Sequence, residues 1–207
     1  MSTLLYIEAS PRKEKSISIQ VSQAFLQAYQ QSHPNDQIIK LDLWQLLLPE
    51  VEDQLLESRY ALAQNQSPTA EQKAAWKAVE NIISQFKQAD RYLFSIPMWN
   101  FSIPYKLKHY IDLIVQPDYT FSFSPQEGYK GLVGNKPAAV VYARGGEYSS
   151  EIGPELKDFQ THYFETVLNF MGITTIQSII AGPTAGPKKE EAVEQAIQQA
   201  VQIAAKF

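Results

Sequence analysis

The chain has 207 residues, of which 44% are hydrophobic and 19% are charged, and its formal net charge is −4. This length and composition predict a single domain over residues 1–207 with a substantial core, and they exclude a wholly disordered chain. The negative charge excludes the basic surface of a nucleic-acid-binding protein. Cysteine is absent, which excludes disulfides and thiolate chemistry. No apolar run reaches the roughly 20 residues that a helix needs to span a bilayer.

The amino-terminal residues and the histidines narrow the class further. Glu8 follows the opening apolar run too early for a secretory signal peptide. The three histidines, His33, His109 and His162, are too far apart in the sequence to predict a metal site. We therefore expect a cytoplasmic protein that binds neither metal, membrane nor nucleic acid.

The first half of the chain alternates apolar runs with segments of helical periodicity. The opening strand is predicted at residues 3–8, and a helix follows from residue 16 with apolar side chains at 3.6-residue spacing. A turn is predicted at 33–36. The later elements are predicted as a strand at 37–41, helices at about 51–63 and 69–88, and a strand at 91–96.

The second half continues the alternation after one long interruption. A helix is predicted at about 103–115, and the connection at 116–136 is rich in proline, glycine and aromatic residues. The remaining elements are predicted as strands at 137–143 and 173–180 and helices at 154–171 and 187–206.

This alternation predicts an α/β protein. Right-handed crossovers between successive strands give a parallel sheet with helices on both faces. Five strands suit the doubly wound order 2-1-3-4-5, in which the chain reverses direction between strands 1 and 3. Ligands bind at that switch point, above the carboxyl ends of the strands. The loops after strands 1, 3 and 4 are therefore the candidate ligand site.

The first of these loops has the residues of a phosphate site. Ser10 lies in the loop, and Ser16 and Ser18 lie at the start of the helix, where free N–H groups attract anions. Three basic residues raise the local potential: Arg12, Lys13 and Lys15. The loop lacks both the P-loop and the G-x-G-x-x-G pattern, which leaves a monophosphate. The alternative is a plain N-cap on a solvated helix.

The second loop is unusually apolar for a connection. It reads I-P-M-W-N-F-S-I-P over residues 96–104, although connecting loops are normally rich in small polar residues. The backbone N–H groups of residues 98–101 and the Asn100 amide suit the polar edge of a flat heterocycle, while Met98 and Trp99 suit its plane. The alternative is a loop packed against the core or against a second subunit.

The third loop, Arg144-Gly145-Gly146, ends a strongly apolar strand. Paired glycines allow positive φ and close approach by a ligand, and an ordinary turn is the alternative. Each signal is unspecific alone. Their convergence at one sheet edge favours an aromatic cofactor that carries a phosphate.

Five sequence blocks occur in one order over nearly the whole chain: S-P-R…S-I-S, P-M-W-N-F-S-I-P-Y-K-L-K-H-Y-I-D, T-F-S-F, G-L-V-G-N-K and A-R-G-G-E-Y-S. Through these blocks and their order, the chain resembles the FMN-dependent NAD(P)H azoreductases and quinone reductases of flavodoxin-like fold. The second block is the most specific of the five. Two positions depart from the family pattern: Trp99 stands where tyrosine is common, and Ala143 stands where some members have serine.

The resemblance implies the cofactor and its contacts. FMN phosphate is expected on the first loop, at Ser10, Ser16, Ile17 and Ser18. The ring edge is expected to meet the second loop at Met98, Trp99, Asn100 and Phe101, and the third at Ala143, Arg144, Gly145 and Gly146. The family also implies a homodimer in which Tyr119, Phe121 and Phe123 wall the substrate, although these three are equally compatible with an ordinary core.

The activity implied by the resemblance is two-electron, ping-pong hydride transfer from NADH or NADPH to a quinone or azo compound. FMN carries this chemistry, so no catalytic side chain is predicted. The main alternative is a flavodoxin-like electron carrier without NAD(P)H turnover, and a flavin-free α/β protein is the third possibility. The mild negative charge favours the enzyme over the more acidic carriers.

Overall fold

The computed structural model describes residues 1–63, 69–148 and 158–207. The strands in these ranges are β1 (Thr3–Glu8), β2 (Gln37–Asp42), β3 (Arg91–Pro97), β4 (Phe121–Ser124), β5 (Gly128–Gly131), β6 (Ala138–Ala143) and β7 (Ile176–Ala181). The α-helices are α1 (Ile17–Ser32), α2 (Asp53–Ala63), α3 (Ala70–Gln88), α4 (Tyr105–Ile114), α5 (Phe159–Phe170) and α6 (Lys189–Ala204). A short 3-10 helix, Lys13–Lys15, precedes α1.

The central sheet has five parallel strands in the order β2-β1-β3-β6-β7. The predicted order 2-1-3-4-5 is wrong as numbered, because the connection at 116–136 contains an antiparallel hairpin, β4–β5. The five parallel strands follow the predicted order once the hairpin strands are left out of the count. The hairpin was missed because its strands are only four residues long and partly exposed, so they lack a strong apolar pattern.

The sheet separates two hydrophobic clusters, one on each face. Alternate residues of β1 enter opposite clusters: Leu5 and Ile7 face α3, α4 and α5, whereas Leu4 and Tyr6 face α1 and α6. The middle strands are buried on both faces, which explains their almost continuous apolar sequences. The predicted cover of helices on both faces is confirmed. No helix within the described ranges is long and apolar enough to cross a bilayer.

Several element ends differ from the prediction for local reasons. Helix α4 begins at Tyr105, two residues later than predicted, because Pro104 is its N-cap. Helix α5 begins at Phe159, capped by the Asp158 carboxylate, which accepts from Thr161 N–H at 2.8 Å. The start predicted at 154 lies outside the described residues. Strand β7 begins at Ile176, after Gly172 has ended α5 with a φ of 94°.

Candidate functional site

The three candidate loops lie side by side at the carboxyl edge of the sheet. Glu8, the last residue of β1, is paired with Ser95 of β3, and Pro97 of β3 is paired with Ala143 of β6. The loops that follow these three strands therefore leave the same edge, as predicted. Two strand spacings, about 10 Å, separate the first loop from the third.

The first loop holds three buried hydroxyl groups close to the start of α1. Ser10, Ser16 and Ser18 are all at most 3% exposed, and the Ser16 and Ser18 hydroxyl oxygens are 3.1 Å apart. Ser16 is the N-cap residue, but its hydroxyl caps no backbone N–H. The first three N–H groups of α1, starting at Ile17, have no partner within the helix. The geometry favours an anion site over a plain N-cap.

Lys13 does not belong to the positive face that we expected for this loop. Its ammonium group points back toward the sheet, donating to Glu8 Oε1 at 3.1 Å and to Asp42 Oδ2. Although partial burial opposes the shift, these two carboxylates raise the pKa of Lys13 above its usual value. Arg12 and Lys15 remain exposed. The loop therefore presents two cations to solvent instead of three.

Glu8 is the centre of an ionic cluster that the sequence reasoning missed. Its side chain is buried, and its second oxygen, Oε2, lies 2.7 Å from Lys40 Nζ. Asp42 pairs with Glu8 across the β1–β2 ladder and accepts from Trp44 N–H at 3.0 Å. The sequence feature that could have indicated this cluster is Glu8 itself, a charged residue at the end of an otherwise apolar strand.

The second loop is a closed two-residue turn. Trp99 N–H donates to Ser102 O at 2.9 Å, and Ser102 N–H donates back to Trp99 O at 3.0 Å. The residues between them, Asn100 and Phe101, have φ values of 47° and 70°, as in a type I′ turn. This conformation suits asparagine but is strained for phenylalanine. Such strain is typical of functional sites.

Only half of the N–H groups predicted to face a ligand at this loop are free. Met98 N–H donates to Ala143 O at 2.7 Å, and Trp99 N–H closes the turn. The N–H groups of Asn100 and Phe101 have no acceptor among the described residues. The prediction that the N–H groups of all four residues face a ligand is therefore corrected: only those at the tip of the loop, Asn100 and Phe101, are available to one.

Aromatic side chains surround the turn. The Trp99 ring lies 5.7 Å from the Trp44 ring and 6.3 Å from the Tyr105 ring, and Phe101 lies edge-on to Tyr148 at 6.3 Å. Trp99 and Phe101 remain 36% and 45% exposed. Packing within the chain therefore accounts for only part of this apolar surface. Trp44, Tyr105 and Tyr148 were not among the predicted site residues.

The third loop is held by its backbone and by an ion pair. Arg144 N–H donates to Ala181 O at 3.0 Å, continuing the β6–β7 ladder, and the Arg144 guanidinium pairs with Asp158. Burial disfavours a charged Asp158, but hydrogen bonds from Thr161 and Arg144 outweigh it and lower the pKa of this carboxyl. The loop is therefore tied to both β7 and the start of α5.

The glycines of this loop are not explained by positive φ. Gly145 and Gly146 adopt ordinary φ values, contrary to our expectation. A Cβ at Gly145 would lie 3.9 Å from its nearest neighbour, and one at Gly146 would lie 3.6 Å from the Tyr148 ring. Their N–H groups have no acceptor among the described residues. The absent side chains leave open space beside two free donors.

The three predicted substrate residues lie elsewhere in the chain. Tyr119 donates to Glu80 at 2.7 Å and accepts from Trp76 at 3.1 Å on α3. Phe121 packs against Phe170, at the end of α5, with a ring separation of 4.6 Å, and Phe123 on β4 is 60% exposed. Lys87, near the end of α3, donates to Tyr119 O at 2.6 Å, and the ends of α3 and α5 lie at the amino edge of the sheet. These residues therefore do not meet the three loops of their own chain.

Comparison with known proteins agrees with this geometry. A family described as having the flavodoxin-like fold matches residues 2–204. An FMN-dependent NADH:quinone oxidoreductase from Desulfotalea psychrophila is 53% identical, with 89% of this chain and 86% of that protein covered. A protein of the same name from Nitratidesulfovibrio vulgaris is 45% identical, with 89% and 88% covered.

Solved structures give the same result. An azoreductase from Bacillus anthracis aligns over 100% of both chains, with a TM-score of 0.91 and 31% identity. An FMN-dependent NADH-azoreductase from the same species, solved in complex with FMN, has a TM-score of 0.90 and 28% identity over 100% of this chain and 99% of that chain. This chain therefore belongs to the flavodoxin-like family that contains the FMN-dependent quinone reductases and azoreductases.

Proposed function

We propose that this protein is an FMN-dependent NAD(P)H oxidoreductase that reduces quinones and azo compounds. The relatives named above support the activity, and the carboxyl edge of the sheet supports the cofactor. The observation that carries the proposal is the set of three buried serine hydroxyls beside an uncapped helix start. Ser10 Oγ accepts from Arg12 N–H at 3.3 Å, and Ser16 and Ser18 share one hydrogen bond. A hydroxyl group both donates and accepts, so these groups keep hydrogen-bonding capacity, which a phosphate monoester at the helix start would use.

The proposed phosphate contacts are the hydroxyl groups and N–H groups of the first loop. Ser10, Ser16, Ile17 and Ser18 would hold the phosphate, with Arg12 and Lys15 adding attraction from the surface. The relatives named above, which use FMN, favour FMN over FAD.

The proposed ring contacts come from the other two loops. Met98, Trp99, Asn100 and Phe101 would border the plane and one edge, and Ala143, Arg144, Gly145 and Gly146 would border the opposite edge. Among the described residues, the N–H groups of Asn100, Phe101, Gly145 and Gly146 have no acceptor. These donors match the carbonyl and ring-nitrogen acceptors of an isoalloxazine edge.

When bound, FMN supplies the two-electron chemistry. The overall reaction takes a hydride from NAD(P)H and a proton from solvent, and it yields NAD(P)⁺ and a hydroquinone. An azo bond needs four electrons for complete cleavage to two amines, hence two such rounds. The protein's role is to orient the reactants against the exposed surface of Trp99 and Phe101. The electron donor, NAD(P)H, and the electron acceptor, a quinone or azo compound, would occupy this surface one after the other, in a ping-pong sequence.

The active unit that we propose is a two-fold homodimer. Phe123 and Tyr129 on the hairpin are 60% and 67% exposed, and an apolar cavity of about 440 Å³ opens between α2, α3, α4 and α5. Apolar surface of this kind marks an interaction site. The partner's Tyr119, Phe121 and Phe123 would wall the substrate, because in their own chain these residues lie away from the three loops. A monomeric mass in light scattering at micromolar concentration would contradict the dimer.

The primary test of the function uses purified protein. We expect a flavin absorption spectrum, and rapid oxidation of NADH or NADPH when a quinone is added. A protein that binds no FMN would overturn the proposal. A protein that binds FMN but does not oxidise either nucleotide would instead be an electron carrier. Because NAD(P)H is supplied in the cytoplasm, a cytoplasmic location accords with this function.

A further inference from the structure

We propose that Lys13 is a positioning residue for the cofactor phosphate, because it holds the first loop in its binding conformation. This inference rests on the proposed binding of FMN. It concerns the contacts of the Lys13 ammonium group with Glu8 and Asp42, which we call the Lys13 clamp. No phosphate contact by Lys13 itself is involved.

Lys13 connects the sheet to the serine hydroxyls through both its side chain and its backbone. The ammonium group reaches the ends of β1 and β2, while Lys13 O accepts from Ser16 N–H at 2.8 Å. Ser16 is the N-cap of α1, and its hydroxyl lies 3.1 Å from that of Ser18. The position of Lys13 therefore sets the positions of both hydroxyl groups.

The backbone of Lys13 needs such support. Its φ of 50° lies in the left-handed region, which is unfavourable for a residue other than glycine and persists only where surrounding contacts impose it. The clamp supplies those contacts. Both carboxylates belong to strands and are themselves fixed, Glu8 by Lys40 at 2.7 Å and Asp42 by Trp44 N–H at 3.0 Å.

The clamp also keeps the charge beneath the loop balanced. Glu8 and Asp42 carry two negative charges, and Lys13 and Lys40 carry two positive charges. Loss of the Lys13 ammonium would leave one net negative charge close to the phosphate, so a simple electrostatic effect and a positioning effect both predict weaker binding. Substitution of Asp42 separates the two explanations.

Asp42→Asn leaves one net positive charge beneath the loop and retains an oxygen for Trp44 N–H. Electrostatics alone predicts that this variant binds FMN more tightly. Positioning predicts weaker binding, because the clamp loses one of its two ionic contacts. The two explanations therefore predict opposite changes in FMN affinity for this variant.

The experiment measures dissociation constants for FMN and for riboflavin, which lacks the phosphate, by quenching of flavin fluorescence. It compares the wild type with Lys13→Met, Asp42→Asn and Lys15→Met. Lys15 lies in the same 3-10 helix and is exposed, so its variant is a matched control for the loss of one charge. Thermal unfolding of the flavin-free proteins verifies that each variant is folded.

We expect Lys13→Met to weaken FMN binding by about tenfold or more, because a displaced loop loses at least one serine hydrogen bond to the charged phosphate. Riboflavin affinity should be unchanged. Asp42→Asn should also weaken FMN, and Lys15→Met should have a clearly smaller effect. Equal losses for Lys13→Met and Lys15→Met, equal losses of FMN and riboflavin, or tighter FMN binding by Asp42→Asn would each overturn the inference. If Lys13→Met does not fold, the Asp42→Asn result decides. Wild-type protein that binds no FMN would overturn the proposed function as well.

Discussion

The two edges of the sheet use left-handed backbone in different ways. At the carboxyl edge three of the four described residues with positive φ are not glycine: Lys13, Asn100 and Phe101, with Gly186 as the fourth. Of these three, only asparagine adopts this conformation readily. Around the amino edge the residues are mostly glycines: Gly128, Gly134 and Gly172, with Asp118 as the exception. Glycine adopts these angles without strain. The carboxyl edge therefore stores strain that the amino edge avoids.

This difference separates a binding region from a structural region. At the amino edge, Gly131 and Gly172 let two backbone segments touch, which fixes the hairpin on the end of α5. At the carboxyl edge, the strained residues lie beside buried serine hydroxyls, partly exposed aromatic rings and N–H groups that have no acceptor among the described residues. Substitutions at the amino edge should change stability, whereas the largest effects of substitutions at the carboxyl edge should be on ligand affinity.

The largest expected effect on affinity is at the first loop. Replacing Ser16 and Ser18 together by alanine should weaken FMN by about 3–6 kcal/mol, since each lost hydrogen bond to a charged group is worth about 1.5–3 kcal/mol. Fluorescence titration measures this change. Ser32→Ala, at the exposed end of α1, is the matched control and should have no effect. Unchanged FMN affinity in the double variant would remove the first loop from the site.

At the amino edge the largest effect should be on folding. An alanine Cβ at Gly131 would lie 2.2 Å from Gly172 N, a backbone atom that cannot move aside. We expect Gly131→Ala to lower the free energy of unfolding by about 3 kcal/mol. Urea denaturation measures the change.

Gly128→Ala separates this overlap from strain. Gly128 also has positive φ, but no atom lies within 4 Å of the position that an alanine Cβ would occupy there, so only backbone strain of about 1 kcal/mol is expected. Equal effects of the two alanine variants would show that the contact between Gly131 and Gly172 does not hold the hairpin in place.

Removing strain from the second loop should have an effect of the opposite sign. Phe101→Gly should raise the free energy of unfolding of the flavin-free protein by about 1 kcal/mol, because glycine accepts a φ of 70°. Turnover with a quinone should fall, since an exposed ring is lost. Phe159→Gly, at a similarly exposed position at the start of α5, should instead destabilise the protein, by less than the roughly 1 kcal/mol that glycine costs in a helix interior. Destabilisation by both substitutions would contradict the strain at Phe101.

The smallest expected effect concerns acid and the third loop. The lowered pKa of Asp158 means that its charged form stabilises the fold above the usual carboxyl pKa of about 4. This stabilisation is lost as the pH falls through the lower folded-state pKa. Asp158→Asn should therefore be less stable than wild type at pH 7, and the difference should shrink toward pH 3. Chemical denaturation at several pH values measures it, and a constant difference would contradict the assignment.

The parallel sheet and its ligand edge could be predicted because strand burial and helix periodicity are local properties of the sequence. Short contacts between distant segments could not be predicted in the same way. The Lys13 clamp joins residues 8, 13 and 42, and nothing local shows that Lys13 turns toward the sheet. Free and occupied N–H groups at residues 98–101 depend likewise on pairing with β6. The hairpin was missed because four-residue strands carry too little pattern.

The hydrogen bond from Met98 N–H to Ala143 O has a consequence for how this site can diversify. It extends the β3–β6 ladder up to the base of the second loop, and the Trp99–Ser102 pair closes the loop immediately above. Changes in the side chains of Trp99 and Phe101 therefore leave the strand pairing of the sheet unchanged. Substitutions at these two positions, in natural relatives or in a directed library, can therefore change which electron acceptors are reduced while the sheet still folds.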